Sequence, residues 1–191
     1  MTKILFVCHG NICRSPMAEF VMKDLVKKAR LETEFLIESA ATSTEEIGNP
    51  VYPPARRKLA EHGISCAGKT SRQLTGTDYD QYDLLIGMDR ANIRNMNRIC
   101  GGDPEEKLHL LMEYAGRPQK RTQRKLSEAG CVGRGEARKC SEFSPQAETE
   151  KSGLCFDEVA DPWYTDDFET TWQDVLVGCK GLLQAVKGER L

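Results

Sequence analysis

Residues 4–16 constrain the fold of this chain more than any other stretch. The run Ile-Leu-Phe-Val at residues 4–7 is short and continuously apolar, which is typical of a strand buried on both faces of a parallel sheet. Cys8, five further residues and Arg14 follow, and Ser15-Pro16 then opens a segment with apolar residues at helical spacing. A strand, a tight loop and a helix in this order indicate the start of an α/β fold.

The loop between Cys8 and Arg14 is predicted to bind an anion. A loop curled over five residues can aim several backbone N–H groups inward, and the N-terminal end of the following helix adds positive potential. The same field favours thiolate over thiol, so we expect Cys8 to be ionised near neutral pH. The Arg14 guanidinium offers a planar pair of donors that matches two phosphate oxygens. This spacing therefore predicts a phosphate-binding loop with a nucleophile at its base.

Apolar runs and helical repeats alternate along the rest of the chain. Ser15 is expected to cap the first helix with Pro16 at its first position, Asp89 to cap a later helix, and residues 39–49 to form a loop. Alternating elements predict a single α/β domain, in which a four-stranded parallel sheet carries helices on both faces and the phosphate-binding loop follows the first strand. The predicted strands are residues 4–7, 35–37, 84–86 and 108–111, and the predicted helices begin at Ser15 and span residues 54–61, 89–99 and 168–186.

One segment does not fit this pattern. Residues 119–157 are rich in Lys, Arg, Glu, Ser, Gly and Gln and poor in periodic apolar residues. We interpret them as an inserted, partly disordered surface segment within the domain of residues 1–191. Residues 120–139 contain seven basic and two acidic residues, a bias that is typical of a solvated face and leaves docking of an acidic partner open.

Composition limits the classes of partner. The 191 residues carry a formal net charge of −2, which gives no general attraction to nucleic acid or to a membrane surface. No apolar run approaches the roughly 20 residues that a membrane span needs, and the apolar stretch near the N-terminus is too short for a signal peptide. We therefore expect a cytoplasmic protein with no nucleic-acid or membrane partner.

The eight cysteines are predicted to be reduced thiols, since no export signal is seen. The spacing of Cys131, Cys140 and Cys155 does not match a zinc site, and unrelated free thiols are the default interpretation. No metal-ligand cluster is found in the sequence.

Cysteine attack on a phosphate ester needs a second group, because the oxygen that leaves must be protonated. Asp161, followed by Pro162, Trp163 and Tyr164, supplies an acid beside two aromatic side chains. With these residues the chain resembles the low-molecular-weight protein tyrosine phosphatases. The resemblance covers about residues 2–118 and 158–191. It rests on the loop Cys8-His9-Gly10-Asn11-Ile12-Cys13-Arg14-Ser15-Pro16, on Asp161-Pro162-Trp163-Tyr164, and on shorter matches at residues 39–43, 47–50, 71–74 and 88–92.

The resemblance implies a mechanism without a metal or another cofactor. Cys8 attacks phosphorus and forms a cysteinyl-phosphate, while Arg14 and the loop amides hold the equatorial oxygens. Asp161 protonates the leaving phenolate and then deprotonates the hydrolytic water. The expected substrate is a phosphotyrosine protein or an aryl phosphate. The other residues expected to contact the substrate or its phosphate are His9, Gly10, Asn11, Ile12, Cys13, Ser15, Trp163 and Tyr164.

The resemblance also assigns supporting roles. Asn11 is expected to bond to Ser39 and hold the loop in shape, and Ser15 to donate to the nucleophilic sulfur. Cys13 matches a second loop thiol that can form a reversible disulfide with the nucleophile, which would protect Cys8 from irreversible oxidation. Its other interpretation is a small buried side chain.

Three departures from the family pattern affect these expectations. Lys69 stands where the family usually has a loop-supporting His, so the partner that orients Ser15 is open. Glu45 replaces an aromatic residue that often flanks the substrate ring, which predicts weaker binding of bulky phosphotyrosine peptides or a preference for basic neighbours. The insertion at 119–157 precedes Asp161, although loop-closure cost grows slowly with length.

Three other functions remain possible on the same fold. A thiol-dependent arsenate reductase would use Cys8 and a relay through Cys131 and Cys140, but it has no need for the Asp161 motif. A protein-arginine phosphatase is expected to carry Thr in place of Ile12, so the larger apolar Ile12 favours phosphotyrosine. A non-catalytic phosphotyrosine-binding module would result if the insertion kept Asp161 away from Cys8.

Overall fold

A parallel sheet organises the computed structural model, which describes residues 1–116 and 158–188. Its strands in this part of the chain are β1 (Thr2–Cys8), β2 (Phe35–Ala41), β3 (Leu84–Gly87) and β4 (Leu108–Leu110). They lie in the order β2-β1-β3-β4 and every neighbouring pair is parallel. The predicted four-stranded parallel sheet is therefore confirmed. The predicted insertion at 119–157, with its basic run 120–139 and three cysteines, lies outside the described residues.

Helices cover both faces of the sheet, as predicted. In the described part of the chain they are α1 (Arg14–Lys28), α2 (Pro53–Glu61), α3 (Gly76–Gln81), α4 (Arg90–Cys100), α5 (Pro162–Thr165) and α6 (Phe168–Gly188). Side chains of a strand alternate between faces, so Phe6 and Cys8 join the core under α1, α2 and α6. Val7 joins the second core, under α3 and α4. Burial on both sides explains why residues 4–7 are continuously apolar.

The first helix begins differently from the prediction. It starts at Arg14, and Cys13, which precedes it, makes no capping hydrogen bond through its side chain. Ser15 is thus inside the helix, and its hydroxyl points into the preceding loop, 3.1 Å from the Cys8 sulfur. The predicted role of Ser15 as N-cap is wrong because the loop reaches helical geometry before residue 15.

Two further differences concern the middle of the chain. β2 continues through Ser39 to Ala41, where the sequence suggested a loop, because Ser39 pairs with Phe6 and Ala41 with Cys8 of β1. The short helix α3 was not predicted, although Thr75 and Asp78 form a reciprocal capping box at its start. By contrast, Asp89 caps α4 as predicted and accepts a hydrogen bond from the Asn92 backbone N–H at 2.6 Å.

Close packing fixes α6 against the 3₁₀ turn Leu111–Tyr114, which follows β4. A Cβ atom at Gly178 would meet the Leu111 side chain at 2.6 Å. At Gly181 it would overlap the Tyr114 carbonyl oxygen. Glycine at these two positions lets α6 approach the end of the sheet, so the helix is held where it can anchor the chain that carries Asp161.

Residues 1–116 and 158–188 carry neither a membrane-spanning helix nor a cluster of metal ligands. No helix there combines the length and the hydropathy that crossing a membrane requires. Nor do three or more His, Cys, Asp or Glu side chains of these residues gather in a way that would hold a metal ion.

Candidate active site

The sulfur of Cys8 lies at the carboxyl end of β1, at the base of the loop formed by residues 8–15, here called the Cys8 loop. Cys8 is buried, with 3% of its surface exposed. The backbone N–H of Asn11 donates to the sulfur at 3.3 Å, and the hydroxyl oxygen of Ser15 lies 3.1 Å from it. Two polar groups thus converge on the sulfur, an arrangement that can stabilise negative charge there.

Asn11 is the internal brace of this loop. Its backbone has a φ of 55°, a left-handed conformation that asparagine tolerates better than most residues. Its side-chain amide donates to the hydroxyls of Ser15 at 2.8 Å and Ser39 at 2.7 Å. Because the Ser15 oxygen accepts this bond, its own proton is available to the Cys8 sulfur. The expected bond between Asn11 and Ser39 is present, and Asn11 also supplies the orientation of Ser15 that the sequence left open.

A buried ion pair supports Ser39 from behind. Ser39 donates to a Glu19 carboxylate oxygen at 2.5 Å, and the Lys69 ammonium lies 2.9 Å from the same oxygen. Lys69 also donates to the Ser39 backbone carbonyl at 3.1 Å. Burial would raise the pKa of Glu19, but Lys69, Lys23 and Ser39 together hold it below its ordinary value. Lys69 therefore lies at the base of the Cys8 loop and acts on it through Ser39.

Glu19 was missed by the sequence analysis. Only 3% of its surface is exposed, and a carboxylate is rarely buried to this extent unless it is paired, as Glu19 is here. Its position four residues after Ser15 on α1 was the available signal, since residues four apart share one face of a helix. What the spacing does not reveal is that β2 brings Ser39 to this face.

Arg14 lies between two carboxylates. Only 4% of its surface is exposed, and one terminal nitrogen contacts Asp89 at 2.7 Å while the other contacts Asp161 at 2.5 Å. Burial alone would lower the pKa of Arg14, but the negative charges of Cys8, Asp161 and Asp89 outweigh it and raise that pKa. Asp89 was predicted only as a helix cap, and the structure gives it this second contact.

Asp161 reaches the site through a segment with its own anchors, residues 158–167, here called the Asp161 loop. Val159 donates its backbone N–H to the Met88 carbonyl at 2.8 Å, directly after β3. The Ala160 N–H donates to Asp174 of α6 at 3.0 Å. Asp161 then contacts Arg14, and its other carboxylate oxygen accepts a hydrogen bond from the backbone N–H of Trp163 at 3.1 Å. The long connection before residue 158 thus does not keep Asp161 away from Arg14.

These groups surround a cavity of about 210 Å³. Cys8 and Arg14 lie among its lining residues together with Asp161. The rim carries Trp163 and Tyr164, which are 58% and 85% exposed. The other predicted contacts that line it are His9, Gly10, Ile12 and Cys13. Glu45, expected beside the substrate ring, also lines it, together with Glu46, which the sequence analysis did not single out. Asn11 and Ser15 act from beneath the lining.

Charge at the rim is mostly negative. Glu45 is exposed, and one of its carboxylate oxygens accepts a hydrogen bond from the His9 ring nitrogen Nε2 at 3.1 Å. Glu46 accepts a hydrogen bond from the Asn49 side-chain amide at 2.7 Å, which fixes its position. Glu45 therefore stands at the cavity mouth, where the departure from the family pattern predicted an effect on substrate choice.

Cys13 is a buried thiol in the same loop. Burial, followed by the negative charge of Cys8, raises its pKa to about 12. Cys13 therefore stays protonated near neutral pH, unlike a thiolate nucleophile. Cys8 and Cys13 are both free thiols in the structure, and the formation of a reversible disulfide between them stays a prediction.

The comparisons with known proteins agree with this geometry. A family model described as low molecular weight phosphotyrosine protein phosphatase matches residues 3–129. YfkJ of Bacillus subtilis strain 168, a low molecular weight protein-tyrosine-phosphatase, is 32% identical over 190 residues, which cover 100% of this chain and 99% of that protein. The chain belongs to the low molecular weight phosphotyrosine protein phosphatase family. The resemblance described from the sequence is therefore confirmed.

Other members of the family support the assignment. The low molecular weight phosphotyrosine protein phosphatase of Gallus gallus is 42% identical over 119 residues, covering 61% of this chain and 73% of that protein. The crystal structure of YfkJ superposes with a TM-score of 0.76 at 31% identity and covers 100% of this chain and 98% of its own. That of SP-PTP from Streptococcus pyogenes gives 0.70 at 34%, with 97% and 93% covered. The match to these family members includes the part of the chain that carries Asp161.

Proposed function

We propose that this family member hydrolyses phosphotyrosine or other aryl phosphate monoesters through a cysteinyl-phosphate. The observation that carries the proposal is the convergence of the Cys8 sulfur, the Arg14 guanidinium and the Asp161 carboxyl group on one cavity. A cavity of this size, with aromatic side chains at its rim, suits a single substituted ring with a phosphate at its inner end.

In the first step the Cys8 thiolate attacks phosphorus and the bond to the phenolic oxygen breaks. Negative charge is then spread over the equatorial oxygens, where Arg14 and the backbone amides of the Cys8 loop stabilise it. The bound phosphate competes with Asp161 for the Arg14 donors and adds negative charge beside that carboxyl group. Asp161 transfers its proton to the departing oxygen, which leaves as a neutral phenol.

In the second step water attacks the phosphorus of the cysteinyl-phosphate. Asp161, now a carboxylate, takes a proton from that water, and the sulfur leaves as a thiolate. Inorganic phosphate is released and the starting charges are restored. The Ser15 proton, which Asn11 directs toward the sulfur, stabilises the thiolate at the beginning and at the end of the cycle.

Hydrolysis of para-nitrophenyl phosphate by the wild type, Cys8→Ser and Asp161→Asn tests this mechanism. Cys8→Ser should abolish turnover, because a serine hydroxyl is a poor nucleophile without a base. Asp161→Asn should lower turnover by about 10²–10⁴-fold, the usual contribution of general acid–base catalysis. The acid assignment is wrong if Asp161→Asn has no effect. Acid quench of a reaction with ³²P-labelled substrate should leave label on Cys8, and a wild-type enzyme that never carries it would contradict the covalent step.

Parallel assays address the alternatives. Hydrolysis of phosphoarginine faster than aryl phosphate would favour a protein-arginine phosphatase, and arsenate-dependent oxidation of thioredoxin would favour an arsenate reductase. Ile12 lines the cavity, which supports the choice of an aromatic ring over a guanidinium group. Binding of a phosphotyrosine peptide without turnover would favour the non-catalytic module. A cytoplasmic location and an acidic partner for residues 120–139 stay predictions.

A further inference from the structure

Tyr52 connects the two loops of the candidate site. Its backbone N–H donates to the Ile12 carbonyl of the Cys8 loop at 2.9 Å. Its ring contacts the Trp163 ring with centroids 5.6 Å apart and the Phe168 ring with centroids 6.2 Å apart. Trp163 lies within the Asp161 loop, and Phe168 follows the end of that loop as the first residue of α6. One residue therefore joins the phosphate-binding side of the cavity to the side that carries the acid.

The contact with Trp163 bears directly on Asp161. Residues 163–167 are all exposed, and the buried residues Pro162 and Phe168 lie on either side of them. Hydrogen bonds within this stretch are local, such as the one from the Thr165 hydroxyl to the Asp161 carbonyl. The backbone N–H of Trp163 donates to one oxygen of the Asp161 carboxylate. A change in the position of Trp163 is therefore passed to the carboxyl group through a single hydrogen bond.

We infer that Tyr52 is a positioning residue for the general acid: its ring holds Trp163, and through Trp163 it sets the direction of the Asp161 carboxyl group toward the leaving oxygen. Tyr52 is absent from the described lining of the cavity, so it acts through Trp163 and makes no direct contact with the substrate. The inference rests on the proposed function and assigns to it a residue outside the loop motifs.

The positioning role of Tyr52 needs its aromatic ring and does not need its hydroxyl group. No described residue forms a hydrogen bond with the Tyr52 hydroxyl, whereas the ring has two aromatic neighbours. Tyr52→Phe should therefore behave like the wild type, and Tyr52→Leu should lose the contact while keeping an apolar side chain of moderate size. Phe20→Leu is a matched control, because it makes a similar aromatic-to-leucine change at a partly buried position of α1 that belongs to neither the Cys8 loop nor the Asp161 loop.

The readout is kcat/KM for a series of aryl phosphates that differ in the acidity of the leaving phenol. Phenyl phosphate needs its leaving oxygen protonated, whereas para-nitrophenyl phosphate expels an oxyanion that is stable without much help. Misplacement of the acid should therefore penalise phenyl phosphate more, and we expect Tyr52→Leu to lose about 10-fold more kcat/KM on it than on para-nitrophenyl phosphate. Loss of the Trp163 ring as a binding surface would lower both values equally.

Each outcome separates the inference from the proposed function. Asp161→Asn should show the same dependence on the leaving group in a stronger form. If that variant shows no such dependence, the acid assignment fails whatever Tyr52 does. If Asp161→Asn shows it and Tyr52→Leu loses activity equally on all substrates, or none at all, the inference about Tyr52 is overturned. Thermal unfolding of each variant identifies a folding defect, and Tyr52→Met then replaces Tyr52→Leu in the same assay.

Discussion

The Cys8 loop and the Asp161 loop meet at one cavity but are held in different ways. In the Cys8 loop, Asn11 and Ser15 are fully buried and every polar atom that supports the sulfur has a partner within the core. In the Asp161 loop the side chains of residues 163–167 are exposed, and the loop is held by a few separate contacts: backbone hydrogen bonds at its start, the ion pair of Asp161 with Arg14 and the ring contact of Trp163 with Tyr52. The groups that receive charge are thus preorganised, while the group that moves a proton keeps some freedom to adjust. Variants that disturb each loop separately test this difference.

The largest effect is expected beneath the Cys8 loop, at Glu19. Glu19→Gln leaves the buried Lys69 ammonium without its counter-charge, which should cost about 3 kcal/mol of unfolding free energy at neutral pH. The pKa of Glu19 is lowered in the folded state, so its contribution is present above about pH 4.5 and is lost as the pH falls through the folded-state value. Chemical unfolding of the wild type should therefore show a loss of stability on acidification that is smaller in Glu19→Gln. Glu32→Gln, an exposed change before β2, should leave the pH dependence of the unfolding free energy as it is in the wild type. If wild type and Glu19→Gln lose the same stability on acidification, the stabilising role of the Glu19 carboxylate is contradicted.

Asn11→Ala tests the brace inside the Cys8 loop. It removes the donor that orients Ser15 and leaves a left-handed backbone position to alanine, so the loop should lose its shape. We expect kcat/KM on para-nitrophenyl phosphate to fall by roughly 10²-fold, the cost of misplacing reacting groups by about 1 Å. Asn97→Ala on the exposed side of α4 is the matched control. Equal activity of the two variants would show that the loop is not preorganised by this network.

A smaller loss is expected at the anchor of the Asp161 loop. Asp174→Ala deprives the Ala160 N–H of its acceptor, which should lower kcat/KM by about 10-fold, equivalent to ~1.4 kcal/mol, with most of the loss on poor leaving groups. Asp174→Asn keeps the acceptor and should restore activity. Burial raises the pKa of Asp174, so its charged form is disfavoured in the fold; this penalty develops as the pH rises past the ordinary value and is constant once the pH exceeds the folded-state pKa. At neutral pH, thermal unfolding should therefore find Asp174→Asn at least as stable as the wild type, and a failure to restore activity would argue against an anchoring role.

The weakest effect is expected at the rim. Glu45 is exposed at the cavity mouth, and we expect its charge to favour a phosphotyrosine peptide with Lys or Arg beside the phosphotyrosine. Glu45→Gln should reduce the ratio of kcat/KM values for a Lys-flanked and a Glu-flanked peptide by about twofold to fivefold, as surface charge pairs do, and added salt should reduce it in the wild type. Glu32→Gln provides the control for charge alone. A ratio that is the same in wild type and Glu45→Gln would remove Glu45 from substrate selection.

The two loops also differ in how far the sequence predicts them. The Cys8 loop is local in the chain, so the strand, the Cys8–Arg14 spacing and the following helix are all evident within residues 4–28. Its shape still depends on Ser39, and this partner was named from the family resemblance. Glu19 was missed, because only the pairing of β2 with β1 brings Ser39 to the face of α1 that carries it.

For the Asp161 loop the sequence predicts the residue types and leaves the contacts undetermined. Asp161, Trp163 and Tyr164 were identified from their motif, and α6 after them from its periodicity. The partners at Met88, Asp174 and Tyr52 come from three separate parts of the chain, and no local spacing indicates that they meet. Ser15 shows the opposite failure: the capping rule placed it before the helix, but the helix already begins at Arg14, and the Ser15 hydroxyl lies beside the Cys8 sulfur instead.

The hydrogen bond from Val159 to the Met88 carbonyl has a consequence for how such a chain can change over time. Val159, two residues before the carboxyl group that delivers the proton, is bound directly after β3. The position of that carboxyl group therefore does not depend on the number of residues between positions 116 and 158. Evolution or protein engineering can therefore lengthen or replace that connection, for instance to attach a recognition module, without changing the residues that surround the Cys8 sulfur.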